Sequence, residues 1–396
     1  MRGWDGGSVG LWDFEWVCGD WGMIYGETTV TLLFDAHLDL AWNALSFDRD
    51  LTESIDQINA REQLLTDSPA RGNATVSLPE MRRGNVAVCL GTLIVHARPD
   101  LVSRQVQQRI SLEYRSPESA YAVAHGQLAY YRLLEQAGHL RLLSTARDLA
   151  SHWGGWVSSL ADENEKKQPI GLILAMEGAD AIVAPSQVEE WFQLGLRAVN
   201  LVHYGHNQYA GGTGETGPLT PLGVELLGQL QRWGIILDAT HLSDASFFQA
   251  LDLFGGAVLA SHNNCRALVP GQRQFSDEQL RLLIDRRAVI GVALDNWMLI
   301  PKWQTGTTRR DQVTLDHVAD QIDHICQLAG SHRQVAIGSD LDGGFGAEQS
   351  PSGLETIADL QKIGERLQQR GYEPEKIQDI FHGNWLRFFN QHLPAS

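Results

Sequence analysis

Eight short apolar runs, rich in β-branched residues, recur along the chain at wide spacing. They are TVTLLFDAH (29–37), NVAVCLGTLIV (85–95), IGLILAMEG (170–178), LRAVNLVHY (196–204), GIILDATHL (234–242), GAVLASHNN (256–264), AVIGVALDN (288–296) and QVAIGSDLDG (334–343). Continuous apolar runs of this length suit strands buried on both faces, as in a parallel sheet. Between them lie segments with helical patterning. SPESAYAVAHGQLAYYRLLEQAG opens on a capping serine and closes on glycine, and TPLGVELLGQLQRWG sets Pro221 after Thr220 and ends on Gly234. SDASFFQALDLFG, SDEQLRLLIDRR and TLDHVADQIDHICQLAG follow the same logic. Strand and helix alternating through eight units predict a (β/α)₈ TIM barrel, with a doubly wound open sheet as the main alternative. Two further helical stretches, about 352–370 and 374–391, are expected to finish the barrel and pack on it. Residues 1–30, rich in Gly and Trp, are expected to form an irregular N-terminal arm, leaving 31–396 as a single domain. The long stretches 41–84 and 96–168 must hold helices and long loops.

Barrel enzymes place their chemistry at the C-terminal ends of the strands. Here those ends carry His37 and Asp39, His96, Glu177, His203, His241, His262, and Asp340 with Asp342. One such residue is weak evidence, because a lone histidine at a strand end is usually a hydrogen-bonded structural group. The set differs. Burying several acids and imidazoles together is expensive unless they are paired or bind a metal. Imidazoles mixed with carboxylates are the donors that Zn²⁺ or a similar borderline divalent ion prefers.

The spacing suggests two ions. His37 and Asp39, at i and i+2, share a face of one strand and can grip one ion. His241 and His262, on adjacent strands, can grip another. An anion must sit between two dications. A carbamylated lysine is one solution, but Lys166, Lys167, Lys302, Lys362 and Lys376 are the chain's only lysines and none falls on an expected strand. Glu177 is the remaining bridge. Asp35 would lie deeper on the same face as His37, in a supporting role, and Asp238 is a candidate to orient His241.

Composition narrows the partners. A net charge of −17 disfavours phosphate backbones and anionic lipid surfaces. Cys18, Cys89, Cys265 and Cys326 are scattered and form no C-x-x-C pair, which suits free thiols in a reducing compartment. No secretory signal pattern and no run of 18 apolar residues is present, so a cytoplasmic protein without a membrane anchor is expected.

With these residues in view, the sequence resembles the membrane dipeptidase (renal dipeptidase) family of zinc metallopeptidases, within the amidohydrolase-like superfamily. The resemblance runs from about residue 30 to about 390. It is carried by FDAHLDL, VSLPEMRRGNVAV, AMEGAD, LGLRAVNLVHYGHN, ILDATHLSD, LASHNNCRAL with Arg273 downstream, HVADQIDHICQLAG with VAIGSDLDGG, and HGNWLRFF. It implies a (β/α)₈ barrel that hydrolyses dipeptides with two zinc ions. Carried over, His37 and Asp39 would hold the first zinc, His241 and His262 the second, and Glu177 with a water or hydroxide would bridge them. His203 would contact substrate, Arg273 would bind the substrate carboxylate, and Asp340 would be the catalytic acid. The family's tendency to homodimers is an expectation by analogy alone. Three departures stand out. The family is often secreted and lipid-anchored, His206 and Asp342 shadow His203 and Asp340, and Cys265 and Arg266 replace the usual small residues.

The expected chemistry follows from the parts. Paired divalent ions lower the pKa of a shared water, which attacks the scissile carbonyl. His203 would steady the oxyanion and Asp340 would relay the proton to the leaving amine. Two competing readings remain at this stage. One is another binuclear hydrolase of amides or lactams on the same scaffold. The other is a catalytically silent binding protein.

Overall fold

A computed structural model describes residues 31–99, 110–160 and 168–396, so the expected arm at 1–30 lies outside the described residues. Eight strands follow the eight apolar runs: β1 (Leu33–Leu38), β2 (Val86–Ile94), β3 (Ile170–Glu177), β4 (Leu196–Asn200), β5 (Ile236–Asp238), β6 (Val258–Leu259), β7 (Ile290–Val292) and β8 (Val335–Ile337). Their residues are buried throughout. β1 to β6 pair in order, all parallel. A parallel bridge between Ala260 and Ile290 carries the order on to β7, which pairs parallel with β8. The result is a curled parallel sheet wrapped by helices, the (β/α)₈ barrel.

Side chains close the seam between β8 and β1. The Asp35 carboxylate accepts the Ser339 backbone N–H at 2.8 Å and its hydroxyl at 2.5 Å. The helix Asn384–His392 lies across the seam from outside. Its Trp385 indole donates to the Ile337 carbonyl at 2.9 Å, and Asn384 donates to the Val335 carbonyl at 2.8 Å. Phe389 stacks on Phe34 of β1 with centroids 5.3 Å apart. Sheet and seam thus share one apolar layer.

The helices begin where the caps place them. Ser116 accepts the Ser119 N–H at 3.2 Å ahead of Pro117–Gln136, and Thr220 accepts the Gly223 N–H at 3.0 Å ahead of Pro221–Trp233. Gly234 and Gly330 end two helices in the left-handed conformation (φ 69° and 61°). The long stretches hold Leu40–Ser46, Ile55–Glu62 and Leu78–Arg83, then Pro117–Gln136 and Ala146–Ser159.

Three features depart from the sequence reading. First, β4 to β8 end earlier than the apolar runs, because side chains replace the ladder. Asp238 Oδ1 accepts the N–H groups of Thr240 and Ser261, both at 3.0 Å, and Asn264 Oδ1 accepts that of Ala293 at 3.0 Å. Second, Leu140–Leu142 pairs with the start of β3, and His96–Ala97 pairs with Glu113–Tyr114. Third, the helix expected from 352 begins only at Gln361. The preceding segment is drawn off along its neighbours, with the Ser352 N–H bound to Val313 O at 2.8 Å and the Ile357 N–H to Thr75 O at 2.9 Å. Among the described residues no helix is long and apolar enough to cross a membrane.

Two glycines leave room for one carbonyl. A Cβ on Gly291 would stand 1.9 Å from Ser261 O, and one on Gly338 would stand 1.8 Å from the same atom. Ser261 precedes His262, so this close approach seats the turn after β6 that carries a candidate ligand. Gly338→Ala is therefore expected to cost at least about 1–3 kcal/mol of stability through overpacking, read from urea unfolding. An unchanged midpoint would show that the turn yields freely.

Candidate metal centre

The candidate side chains follow a common offset. His203, His241, His262 and Asp340 each lie three residues past the last residue of β4, β5, β6 and β8, while Glu177 is the last residue of β3. At that offset the backbone has left the ladder and turned inward. His241 and Asp340 adopt left-handed backbone (φ 69° and 60°), which residues other than glycine seldom take.

Their ligand atoms converge on Glu177. His241 Nε2 and His262 Nε2 stand 3.2 and 3.4 Å from Glu177 Oε1, and 3.1 Å from each other. His37 Nε2 stands 3.2 Å from Glu177 Oε2 and 3.7 Å from Asp39 Oδ1. One group of potential ligands is thus His37, Asp39 and Glu177, and another is Glu177, His241 and His262, with the atoms of each within 4.8 Å of one another. His37, His262 and Asp340 form a third. All but Asp340 are buried.

Supporting groups set the tautomers. The Thr213 hydroxyl lies 3.0 Å from His241 Nδ1 and can donate to the His241 carbonyl at 3.4 Å. His241 then carries its proton on Nδ1 and presents a bare Nε2. The Ser261 hydroxyl lies 2.9 Å from His262 Nδ1 and 3.5 Å from His37 Nδ1. Thr92 donates its hydroxyl to Asp39 Oδ1. His37 Nε2 is buried, and among the described residues its neighbours are the carboxylates of Glu177, Asp39 and Asp340.

Protonation follows from this crowding. Burial holds His241 and His262 well below the usual imidazole range, and Arg273 adds to it in both. Burial also disfavours charge on His37, but Glu177, Asp39 and Asp340 outweigh it and push His37 up to about 10. Burial raises Glu177, yet the surrounding imidazoles outweigh burial and hold it well below its usual range. Burial pushes His203 down to about 4 and lifts Asp340 well above the carboxylate range. The neutral imidazoles of His203, His241 and His262 and the protonated His37 surround an ionised carboxylate, and once His37 gives up its proton the set offers the donors of a divalent transition metal. The residues fit such a group.

Two members face outward. His203, with its side chain 15% exposed, stands 3.7 Å from Glu177 Oε1 and stacks on the buried His96 at 4.8 Å. Asp340, with its side chain 14% exposed, stands 3.9 Å from His37 Nε2. Arg273 is buried. Its Nη2 donates to the His262 carbonyl at 3.0 Å, and its Nη1 has no partner among the described residues.

The shadowing residues lie elsewhere. The His206 side chain is 72% exposed, beside Glu215 at 3.5 Å. Asp342 is consumed by other contacts: it accepts from Thr75 Oγ1 at 2.7 Å, from Val76 N at 3.0 Å and from Arg49 Nη1 at 3.3 Å. Arg49 also pairs with Glu62 at 2.9 Å, and Glu62 with Arg71 at 2.8 Å. This buried ionic chain anchors the loop that carries Asp340. Cys265 joins none of the ligand groups, and Arg266 pairs with Asp244 at 2.7 Å. Sequence reasoning missed Thr92, Thr213 and Ser261, hydroxyls that leave no signal of their own in the sequence.

Comparison with known proteins agrees with this architecture. Residues 28–394 match the family model described as membrane dipeptidase, peptidase family M19. "Dipeptidase aclJ" of Aspergillus oryzae is 29% identical over 223 residues, which are 55% of this chain and 50% of that relative. The chain thus spans about half the length of such curated relatives. A solved metallopeptidase, dipeptidase AC, superposes with a TM-score of 0.72 at 22% identity, over 93% of this chain and 100% of that one. A metallopeptidase from Rhodobacter sphaeroides, liganded with a phosphinate mimic of L-Ala-D-Ala, gives 0.72 at 22% identity over 92% and 99%. At that identity the two structures attest the barrel fold, and the match along 28–394 settles the lineage: the chain belongs to the membrane dipeptidase family, peptidase family M19.

Proposed function

We propose that this chain is a zinc-dependent dipeptidase holding two zinc ions, one on His37 and Asp39, the other on His241 and His262, with Glu177 shared between them. The observation that carries the reading is Glu177 itself, whose two oxygens each face a separate set of ligand atoms. Family membership supports it, as does the dipeptide mimic in the Rhodobacter sphaeroides relative. When bound, the ions would acidify a water enough to serve as nucleophile near neutral pH.

The chain's own residues supply the rest. Arg273 keeps Nη1 free beside the site and offers it to the terminal carboxylate of a dipeptide. A carboxylate demanded next to the cleaved bond excludes longer peptides. His203, neutral and partly exposed, donates to the carbonyl oxygen as it gains charge. Asp340 takes a proton from the attacking water and delivers it to the leaving amine, a task suited to a partly exposed carboxyl whose proton affinity is raised. A cytoplasmic setting accords with the free thiols of Cys89, Cys265 and Cys326.

Purified without chelator, the protein should carry zinc and cleave members of a panel of L-Xaa–L-Xaa and L-Xaa–D-Xaa dipeptides. Metal-replete protein that turns over none of them would sink the proposal. Asp340→Asn should keep its metal and lose roughly 10²–10⁴-fold in kcat. Arg273→Ala should lower kcat/KM for dipeptides by the equivalent of about 2–5 kcal/mol, mostly through KM. An equal effect on amides lacking the carboxylate would remove its role. Metal uptake must displace the proton that His37 holds up to about 10, so affinity should fall as pH drops from 8 to 6. Each unit should weaken binding by about tenfold, measured by chelator competition. A flat profile would mean that no ligand proton is released.

A further inference from the structure

Asp295 follows β7 by three residues, the offset at which His203, His241, His262 and Asp340 enter the centre. It is 6% exposed and no contact described above uses it. The turn that carries it is clamped against the arginine's neighbours. Gln274, next to Arg273, donates to the Met298 carbonyl at 3.1 Å, and Asn264 donates to the carbonyls of Ala293 at 3.0 Å and Met298 at 3.1 Å. Asp295 also lies within electrostatic reach of both Arg273 and Tyr204.

Its two oxygens are treated differently. Oδ1 accepts from Gln349 Nε2 at 2.8 Å and from the Trp297 N–H at 3.3 Å. The Gln349 amide is fixed in that orientation, because its oxygen accepts from Trp303 Nε1 at 3.3 Å and from the Thr305 hydroxyl. Oδ2 accepts no hydrogen bond within 3.5 Å among the described residues, and the Trp297 side chain is the further donor that acts on the carboxylate. One oxygen is thus locked and the other is left for a further partner. Burial lifts the carboxyl to about 7. Arg273 draws it back only in part and forms no ion pair with it, its Nη1 being unpartnered among the described residues.

We propose that Asp295 is a specificity-determining residue that receives a cationic side chain, as of lysine, ornithine or arginine, on the carboxylate-bearing residue of the substrate. The placement follows from the neighbour: Arg273 takes the terminal carboxylate, so a carboxylate beside Arg273 borders the side chain of that same residue. A cation there would satisfy Oδ2 and balance the buried charge. The inference rests on the dipeptidase reading.

The test compares dipeptides that share an N-terminal residue and end in L- or D-lysine or in the near-isosteric norleucine. Metal-replete wild type is expected to favour the lysine form in kcat/KM by at least about tenfold. Asp295→Asn preserves the acceptor for Gln349 and Trp297 and should reduce that ratio to about threefold or less. Asp295→Ala gives a second reading, with circular dichroism confirming the fold of each variant. Norleucine dipeptides cleaved as well as lysine dipeptides would overturn the inference and leave the dipeptidase reading intact. A preference that survives both substitutions would also overturn it. If no dipeptide is cleaved, the dipeptidase reading fails. Calorimetry with free lysine and norleucine then decides about Asp295, and equal or absent binding would overturn its role.

Discussion

The centre depends on one buried carboxylate. Glu177 is 1% exposed, yet four imidazoles bring an Nε2 atom within 3.7 Å of it. Ionised in a dry interior, it could not persist without that company. The imidazoles in turn are tolerable there because they remain neutral or share the proton that Glu177 attracts. Residues from four different strands or strand ends must therefore arrive at one point, and a closed parallel barrel is a fold that delivers them.

Around that point the structure gives up regularity to gain position. β5 to β8 are only two or three residues long, and side chains of Asp238, Asn264 and Asp35 complete hydrogen bonding that a longer ladder would supply. His241 and Asp340 hold left-handed backbone, a cost of about 1–3 kcal/mol each. The chain Arg71–Glu62–Arg49–Asp342 offsets part of this strain at the Asp340 loop, tying it to segments 40–76 through buried charge. Rigidity at the mouth thus comes from ionic and hydroxyl contacts rather than from sheet.

The barrel was legible because its signal is additive: eight apolar runs and capped helices between them leave few topologies. His37, Asp39, Glu177, His241 and His262 were legible because polar residues ending apolar runs contradict the pattern around them. The run boundaries were not, since the sequence does not say where a ladder yields to side-chain bonds such as those of Asp238. Thr92, Thr213 and Ser261 were invisible, because a hydroxyl in a strand end is unremarkable until its imidazole is seen beside it. The choice between His203 and His206, or Asp340 and Asp342, needed coordinates, for residues so close in sequence share every local signal. His206 proved to be at the surface and Asp342 inside an ionic chain.

The seam between β8 and β1 sets the order of assembly. Asp35 and Ser339, which join across it, are separated by 304 positions, and the helix that covers it is the last in the chain. A nascent chain emerging from the ribosome holds His37 and Glu177 long before β8 exists to shut the cylinder. Until then those side chains stay open to water and to stray ions. Contacts this distant in sequence form late and slowly. The ring of candidate ligands is complete only when its final turn is in place, so translation must run almost to its end before the centre can assemble.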